Sequence, residues 1–502
     1  MPVFELFASE WITFAFFFAV IAGFVALSGI LQKKFKFSGE NTRQFVHVGV
    51  GLLVITSPFL FKSGIPPAAL ATIFIILNAI SLKNDRMKGI HTTERFSYGT
   101  VFFPITFLVL IHLYWRSDPT LLLIGMLLMT LTDPIASITG RILKHNPSFR
   151  LWKDEKTLYG SLSLFISAFI LTTIGLYLFR KIDLIPLPPV ESIFIIGFAV
   201  AIIATLSEAI SNAGSDNLTL PLFSVLMLDV MLQLNFINQL VVLGWILFSF
   251  ILAFTAYKLR ALTLGGAAGA MLLGSIVFGI GGLYWVIPMA TFFVLSSILS
   301  KIGKIRKTIL RGITEKGSNR DILQVYANGG VSLITAVLYF YTSYDIFYLM
   351  FLGSLAAATA DTWGTEIGIF SKVQPRNIIT FSVVPTGTSG GVTALGTSGV
   401  FVGAGILTLS GLMPITESLM RIFLIVVISG VLGALIDSVL GAIVQAQYKC
   451  PNCGKITEKL VHCENFKTEL VAGTKWIDND VVNLACTTSG ALIVLLLFTI
   501  LF

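Results

Sequence analysis

Charge is what this sequence has least of. Asp, Glu, Lys and Arg make up 12% of the 502 residues, about half the roughly 25% usual in soluble proteins. A chain so poor in charge cannot cover a water-facing surface, which excludes a soluble globular domain. Cysteine is scarce too: four residues, two of them in CPNC, cannot build the framework of a disulfide-stapled secreted fold. No long Pro- or Ser-rich linker divides the chain. No GKS or GKT ending follows its glycine-rich stretches, so a Walker P-loop is excluded. The opening MPVFELFASE lacks the basic residues of a signal peptide, and the first apolar run is expected to be a retained helix.

What the chain has is apolar length. It is 55% hydrophobic with 41 Phe residues, and its mean hydropathy is +0.88. Runs of 17 to 25 apolar residues recur from 11–31 to 482–501, long enough to cross a hydrocarbon core of roughly 30 Å as helices. The expected fold is all-α, a polytopic integral membrane helical bundle of about sixteen transmembrane helices, in two halves, 1–236 and 237–502. Basic residues gather in alternate loops: Lys33 to Lys36, Lys83 to Arg95, Arg141 to Lys156, Lys258 to Arg260 and Lys301 to Arg320. The positive-inside rule puts those loops in the cytoplasm and both termini outside. The net charge of +8 then reflects topology and attraction to anionic membrane lipid, and gives no indication of nucleic acid.

Two sets of polar motifs interrupt the apolar runs, and the second follows the order of the first. The earlier set is RQFVHVGVGLL (Arg43 to Leu53), TDPIASITGR (Thr132 to Arg141), KTLYGS (Lys156 to Ser161) and SDNLTLPL (Ser215 to Leu222). The later set is RDILQVYANGG (Arg320 to Gly330), ADTWGTEIG (Ala360 to Gly368), PTGTSGGVT (Pro385 to Thr393) and DNDVVN (Asp478 to Asn483). Each begins with Arg, three residues and a His-Val or Gln-Val pair. An acidic residue at the end of an apolar run, a Gly/Ser/Thr turn and an Asp-Asn element follow.

Carboxylates at a membrane helix centre cost roughly 2.5 to 3.5 kcal/mol, so they mark functional candidates. In the first half, Asp133 or His47 is the candidate base, and Arg43 shares a helical face with His47 at i and i+4. Arg141 and Lys156 offer positive charge to phosphate oxygens. Gly160 and Ser161 open a helix whose backbone amides can approach an anion, with Asn217 a further binding residue. Glu208 and Asp216 are candidate ligands for Mg2+. In the second half, Asp361 and Glu366 are the catalytic candidates and are expected to straddle a helix end. Arg320, Asn328, Lys372, Asn479 and Asn483 are binding candidates, as is the loop Thr386, Gly387, Thr388, Ser389, Gly390 and Gly391, whose amides and hydroxyls can wrap a phosphate. Asp437, Asp478 and Asp480 are further acidic candidates for Mg2+. Because these motifs lie in or beside the basic loops, the chemistry is expected to face the cytoplasm.

Over residues 40–225, RQFVHVGVGLL, the Asp133 to Arg141 segment, KTLYGS and SEAISNAGSDNLTLPL resemble the dolichol kinase and phytol kinase family. Thr132 stands where relatives usually carry Gly ahead of the Asp. The resemblance implies a membrane enzyme that phosphorylates an isoprenoid alcohol, commonly with CTP. Over residues 260–500, ANGGV, ADTWGTEIG, PTGTSGGVT, GALIDSVLGA and WIDNDVVN resemble DUF92, a membrane family whose plant member is a phytyl-phosphate kinase. The fusion implies that a prenyl alcohol becomes the monophosphate in the first half and the diphosphate in the second. The expected partners are CTP or another nucleoside triphosphate with Mg2+, prenyl alcohol, prenyl phosphate and membrane lipid. A cytidylyltransferase forming CDP-lipids, or a secondary transporter, are the alternatives.

The insertion at 448–463 stands apart. Cys450 and Cys453 form a CxxC knuckle, and His462 or Cys463 is expected to complete part of a tetrahedral structural Zn2+ site that three local cysteines leave one short. Cys486 lies in the last apolar run, where it reads as a small buried side chain.

Overall fold

The computed structural model describes residues 4, 6–7, 9–84, 97–143, 145–182, 186–302, 319–416, 418–463 and 466–502. The basic stretches 85–96 and 303–318, on which much of the sidedness reading rests, lie outside them. Among the described residues the chain forms seventeen helices. They are α1 (Glu10–Phe35), α2 (Gly39–Ile55), α3 (Ser57–Leu60), α4 (Ile65–Asn84), α5 (Gly99–Tyr114), α6 (Pro119–Ile142), α7 (Leu158–Ile182), α8 (Val190–Ala209) and α9 (Asp216–Leu232), followed by α10 (Phe236–Lys258), α11 (Leu264–Gly281), α12 (Leu283–Lys301), α13 (Ile322–Thr342), α14 (Ile346–Gly368), α15 (Ala394–Ser410), α16 (Leu419–Ile443) and α17 (Asn479–Leu501).

Every apolar run meets a helix, and α3 is a four-residue turn. Twelve helices are long and apolar enough to cross a membrane. The four others, α2, α5, α9 and α15, have 16 or 17 residues, short of the roughly 20 of a typical crossing. Among the described residues length and composition support twelve crossings, and the expectation of about sixteen counts these four shorter helices as well. Helix starts are fixed locally: Ser38, Asp118, Thr263, Asp321, Thr393 and Asp478 each accept a first-turn N–H through their side chains, which satisfies donors that no helical carbonyl can reach.

The chain divides into two compact units, Met1–Gly244 and Trp245–Phe502, with the boundary inside α10. In the first unit α6 packs on α7, α7 on α8, α8 on α9, and α9 returns to α6. In the second, α14 packs on α15, α15 on α16, α16 on α17, and α17 returns to α14. A two-stranded antiparallel hairpin joins the first two helices of each set: β1 (Ser148–Arg150) with β2 (Glu155–Thr157), and β3 (Arg376–Asn377) with β4 (Gly391–Val392).

The acids follow the same plan. Asp133 and Asp361 lie on α6 and α14, Glu208 and Asp437 towards the ends of α8 and α16, and Asp216 and Asp480 on the first turns of α9 and α17. The Arg-led motifs depart from it. Arg43 lies on α2, the second long helix of its unit, whereas Arg320 precedes α13, the fourth of the other.

Small residues set how closely these helices approach. With no hydrophobic drive between apolar helices in lipid, packing contacts and polar bonds hold them together. A side chain on Gly51 of α2 would collide with Thr130 of α6. A Cβ on Gly433 of α16 would stand 2.6 Å from the Ala357 Cβ of α14 and 3.0 Å from the Cys486 carbonyl of α17. Gly433→Val is therefore expected to destabilise the second unit by about 1–3 kcal/mol, read as a lower melting temperature of the detergent-solubilised protein. An unchanged melt would show that this three-helix contact is looser than the geometry requires.

Candidate functional site

The Gly51–Thr130 contact places His47 one turn away. Its Nε2 lies 2.9 Å from the Met129 carbonyl, an acceptor only, so Nε2 carries a proton in this contact. The ring stands edge-on to Phe103 with centroids 5.2 Å apart. Asp133 lies within electrostatic reach of Asp216, His47, Arg43 and Lys156. Pro134 follows it inside α6, and without an N–H it leaves the Thr130 carbonyl unbonded by the helix. Arg43 Nη2 donates to Glu40 Oε1 at 2.8 Å and Nε to Oε2 at 3.2 Å.

Lys156, on β2, is ion-paired with Glu208 from the end of α8, and their side chains are only 16% and 8% exposed. Burial by itself would lower the Lys156 pKa; Glu208, Asp216 and Asp133 outweigh it and hold the amine at about 12, so it stays charged at every physiological pH. Glu208 Oε2 is buried without a hydrogen-bond partner among the described residues. Asp216 Oδ1 accepts from the Asn217 backbone N–H at 3.1 Å and from Asn217 Nδ2 at 3.2 Å. Six sequence candidates of the first unit thus meet at one end of its helices: Arg43, His47, Asp133, Lys156, Glu208 and Asp216.

Of the remaining candidates of that unit, Arg141, Gly160 and Asn217 also make framework contacts. Arg141 turns to α2, with Nη2 donating to Gln44 Oε1 at 3.0 Å and Nη1 to Asn41 Oδ1 at 3.3 Å. The Gly160 N–H reaches the Thr157 hydroxyl at 3.3 Å, and a Cβ there would stand 3.1 Å from the Ala136 carbonyl of α6. Gly160 therefore sets the α6–α7 approach. Asn217 is buried, with Nδ2 also donating to the Gly214 carbonyl at 3.2 Å, and it braces the turn ahead of α9. Ser161 Oγ is buried and has no hydrogen-bond partner among the described residues, which leaves a donor on the first turn of α7.

In the second unit the Gly433 contact brings α14 and α16 together, and one turn further on the carboxyl groups of Asp361 and Asp437 share a hydrogen bond. Two carboxylates that close require a proton or a cation between them. Asp437 Oδ2 is buried without a hydrogen-bond partner among the described residues. Asp361 and Glu366 both lie within α14; the expected helix end comes only after Gly368, because the Gly- and Thr-rich stretch continues the helix. Asp480 is buried on the first turn of α17. Asp478 Oδ1 accepts from the Asp480 and Val481 N–H groups at 3.0 and 3.1 Å, the geometry of a helix cap. Asn479 opens α17 and Asn483 lies half-buried one turn later.

The loop 385–391 reaches the end of α16. Gly390 has φ +75°, and a Cβ there would meet the Ala442 Cβ at 2.5 Å and the Ser438 carbonyl at 2.8 Å, so only glycine fits one residue beyond Ser389. The Gly390 carbonyl accepts from the Ile378 N–H at 2.9 Å, and Gly391 pairs with Asn377 across the hairpin. Gly387, with φ +90°, turns the loop, while Thr388 N–H and Oγ1 return to the Pro385 carbonyl at 3.2 and 2.8 Å. Thr386 is half-buried and Lys372 exposed.

Beside α13 lies a partly open apolar groove, lined by Leu252, Leu273, Phe278, Phe292, Phe293 and Leu355, with Arg320, Gln324 and Asn328 supplying its polar side. The Arg320 guanidinium stands 5.5 Å from the Phe292 ring centre. Burial draws its pKa down from the ordinary value, and Glu366 opposes that shift. Asn328 Nδ2 donates to the Gln324 carbonyl at 2.9 Å. The 41 Phe residues of the sequence do not locate such a groove, which follows from tertiary packing.

The insertion folds as β5 (Gln447–Lys449), β6 (Ile456–Thr457), β7 (Val461–His462), β8 (Phe466–Lys467) and β9 (Glu469–Ala472), with strand order β6-β5-β9 and a separate β7–β8 pair. Here the sequence reading of a ligand set one short is corrected. Sγ of Cys450, Cys453 and Cys463 and a ring nitrogen of His462 lie within 4.8 Å of one another, so the histidine and all three thiols form one four-donor group. Burial works to raise the Cys450 thiol, but the Cys453 N–H and the His462 ring bring it down to about 6. Glu458, which no sequence motif singles out, accepts from Ser389 Oγ at 2.7 Å and from Gln445 Nε2 at 2.9 Å.

Twelve apolar helices with acids gathered at one end of each unit define a multi-pass integral membrane protein carrying polar sites. The profile of integral membrane protein DUF92 matches residues 247–491. An uncharacterized membrane protein of Methanocaldococcus jannaschii is 32% identical over 193 residues, 38% of this chain and 79% of that protein. The chain belongs to the DUF92 integral membrane family. Protein PGR of Arabidopsis thaliana is 29% identical over 262 residues, 47% of this chain and 89% of its own length. A phytol kinase of Synechocystis is 26% identical over 211 residues, 41% of this chain and 87% of the kinase. No solved structure matches the chain.

Removing one partner of a buried ion pair leaves the other charge uncompensated, at a cost of about 3–5 kcal/mol. Lys156→Met is expected to destabilise the first unit by that order, and Lys156→Met combined with Glu208→Gln by much less. Unfolding of both variants in detergent measures the difference; equal losses would mean that the pair is solvated and contributes little.

Proposed function

We propose that this protein is a membrane isoprenoid kinase. The first unit converts a prenyl alcohol of the phytol or geranylgeraniol type to its monophosphate, and the second adds another phosphate to give the diphosphate. The donor is CTP or another nucleoside triphosphate. The observation that carries this reading is the recurrence, in each unit, of acids on three helices in the same order, with a hairpin after the first of them. Similarity to a protein named phytol kinase supports the substrate class, as does the motif resemblance across 40–225.

Magnesium fits both acid groups, since buried Glu208 Oε2 and Asp437 Oδ2 have no partner among the described residues and hard carboxylate oxygens are its ligands. Glu208 and Asp216 would hold it in the first unit, Asp361 and Asp437 in the second. When bound, the ion neutralises charge on the nucleotide phosphates. Lys156 and Arg43 place positive charge at the first site, and Arg320 does so at the second. In the first unit Asp133, beside His47, takes the hydroxyl proton as the alcohol oxygen bonds to the terminal phosphorus and the nucleoside diphosphate leaves. In the second unit the acceptor phosphate is already an anionic nucleophile and needs no base. Its prenyl chain lies in the groove beside α13, with the phosphate towards Arg320.

The test is purified protein in lipid nanodiscs with labelled CTP and phytol or geranylgeraniol. Label from the γ-phosphate should appear in the prenyl phosphate and then the diphosphate. Label from the α-phosphate in a CDP-lipid would instead establish a cytidylyltransferase, and no transfer at all would leave transport. Asp133→Asn is expected to slow the first step by about 100-fold or more while added prenyl monophosphate is still converted. Asp361→Asn should stop only the second step. Loss of both steps from either change would overturn the two-site assignment.

A further inference from the structure

Among its described residues the insertion between α16 and α17 buries little apolar surface beyond Tyr448 and Cys450. Ile456, Leu460, Val461, Phe466 and Leu470 are each 45–55% exposed, and strands of two to four residues are too short to hold together in water by pairing alone. Modules of this size are usually stapled by a disulfide or a metal, and none of the cysteines is in a disulfide. The four donors have the dimensions of a metal site. Zinc–sulfur bonds of about 2.3 Å and zinc–nitrogen bonds of about 2.0–2.1 Å at tetrahedral angles put sulfur and nitrogen about 3.5 Å apart. Sγ of Cys453 lies 3.5 Å and Sγ of Cys463 3.1 Å from His462 Nδ1. The knuckle is shaped for it: the Cys450 N–H bonds the Lys455 carbonyl at 3.0 Å, the Gly454 N–H returns to the Cys450 carbonyl at 2.9 Å, and Gly454 has φ +68°.

The position of Glu458 gives the module a task. It lies on the chain between the two ligand pairs, and its Oε1 holds both Ser389 of the glycine-rich loop and Gln445 at the end of α16. It is also within electrostatic reach of Asp437. Closing the ligand loop around an ion restricts the chain that carries Glu458, and with it the loop beside the acid pair.

We propose that Cys450, Cys453, His462 and Cys463 bind a structural zinc ion that fixes Glu458 against the 385–391 loop, making the order of that loop zinc-dependent. The site itself stands independently of the kinase reading; only the catalytic importance of the loop rests on it.

The test uses the full-length protein in detergent and needs no activity assay. Elemental analysis should find about one zinc per chain, lost in Cys453→Ser and kept in Cys486→Ser. The three ligand thiols should react with a thiol reagent only after chelation. Hydrogen exchange over 385–391 should speed by about tenfold on chelation. Glu458→Gln should keep the zinc yet show the faster exchange, which guards against a Cys453→Ser variant that merely fails to fold. Zinc-free protein with three freely reactive thiols, or a disulfide among them, would overturn the metal site. Zinc present with loop exchange indifferent to chelation and to Glu458→Gln would overturn the coupling.

Discussion

A carboxylate inside a membrane helix must be met by another polar group, since no water is there to solvate it. That constraint organises both units. Asp133 is met by His47 and Arg43 from α2 and by Lys156 from β2, Glu208 by Lys156, and Asp361 by Asp437. Each meeting demands that neighbouring helices hold a particular rotation and depth. The sites therefore fix the bundles as much as the bundles present the sites.

Close backbone approach makes these meetings possible. Gly51 against Thr130 and Gly433 against Ala357 each lie one turn from the acid or base they serve. Because a helix rises about 5.4 Å per turn, a side chain inserted at either contact would shift the polar groups along as well as apart. The shared order of the last four helices in each unit, with a hairpin after the first of them, supports descent of the two units from one plan. The early helices show where they diverge, with the leading arginine on α2 in one unit and ahead of α13 in the other.

Much of this was legible in the residues. Apolar runs gave the helices, because a twenty-residue stretch without charge has few other ways to satisfy its backbone in lipid. Costly acids marked the sites for the same reason. What the sequence could not carry was the role of groups defined by distant partners. The sequence marks Arg141 as a charge for phosphate but not its bonds to Asn41 and Gln44, and it marks Gly160 and Gly390 as binding candidates but not the close helix contacts they also make. Glu458 is one of many surface-type residues in the sequence, and only folding of the insertion brings it to Ser389. The four-donor group was half visible, since His462 and Cys463 are adjacent and a tight turn at Cys463, with φ +47°, is needed to aim both inward.

The groove beside α13 is walled by Phe and Leu and partly open, with polar groups on one side. A chain-bearing ligand reaches such a cleft by lateral diffusion within the leaflet and never passes through bulk water. Its effective concentration is then a mole fraction of the surrounding lipid, so saturation depends on how far the reconstituted bilayer dilutes the ligand, whatever the bulk molarity.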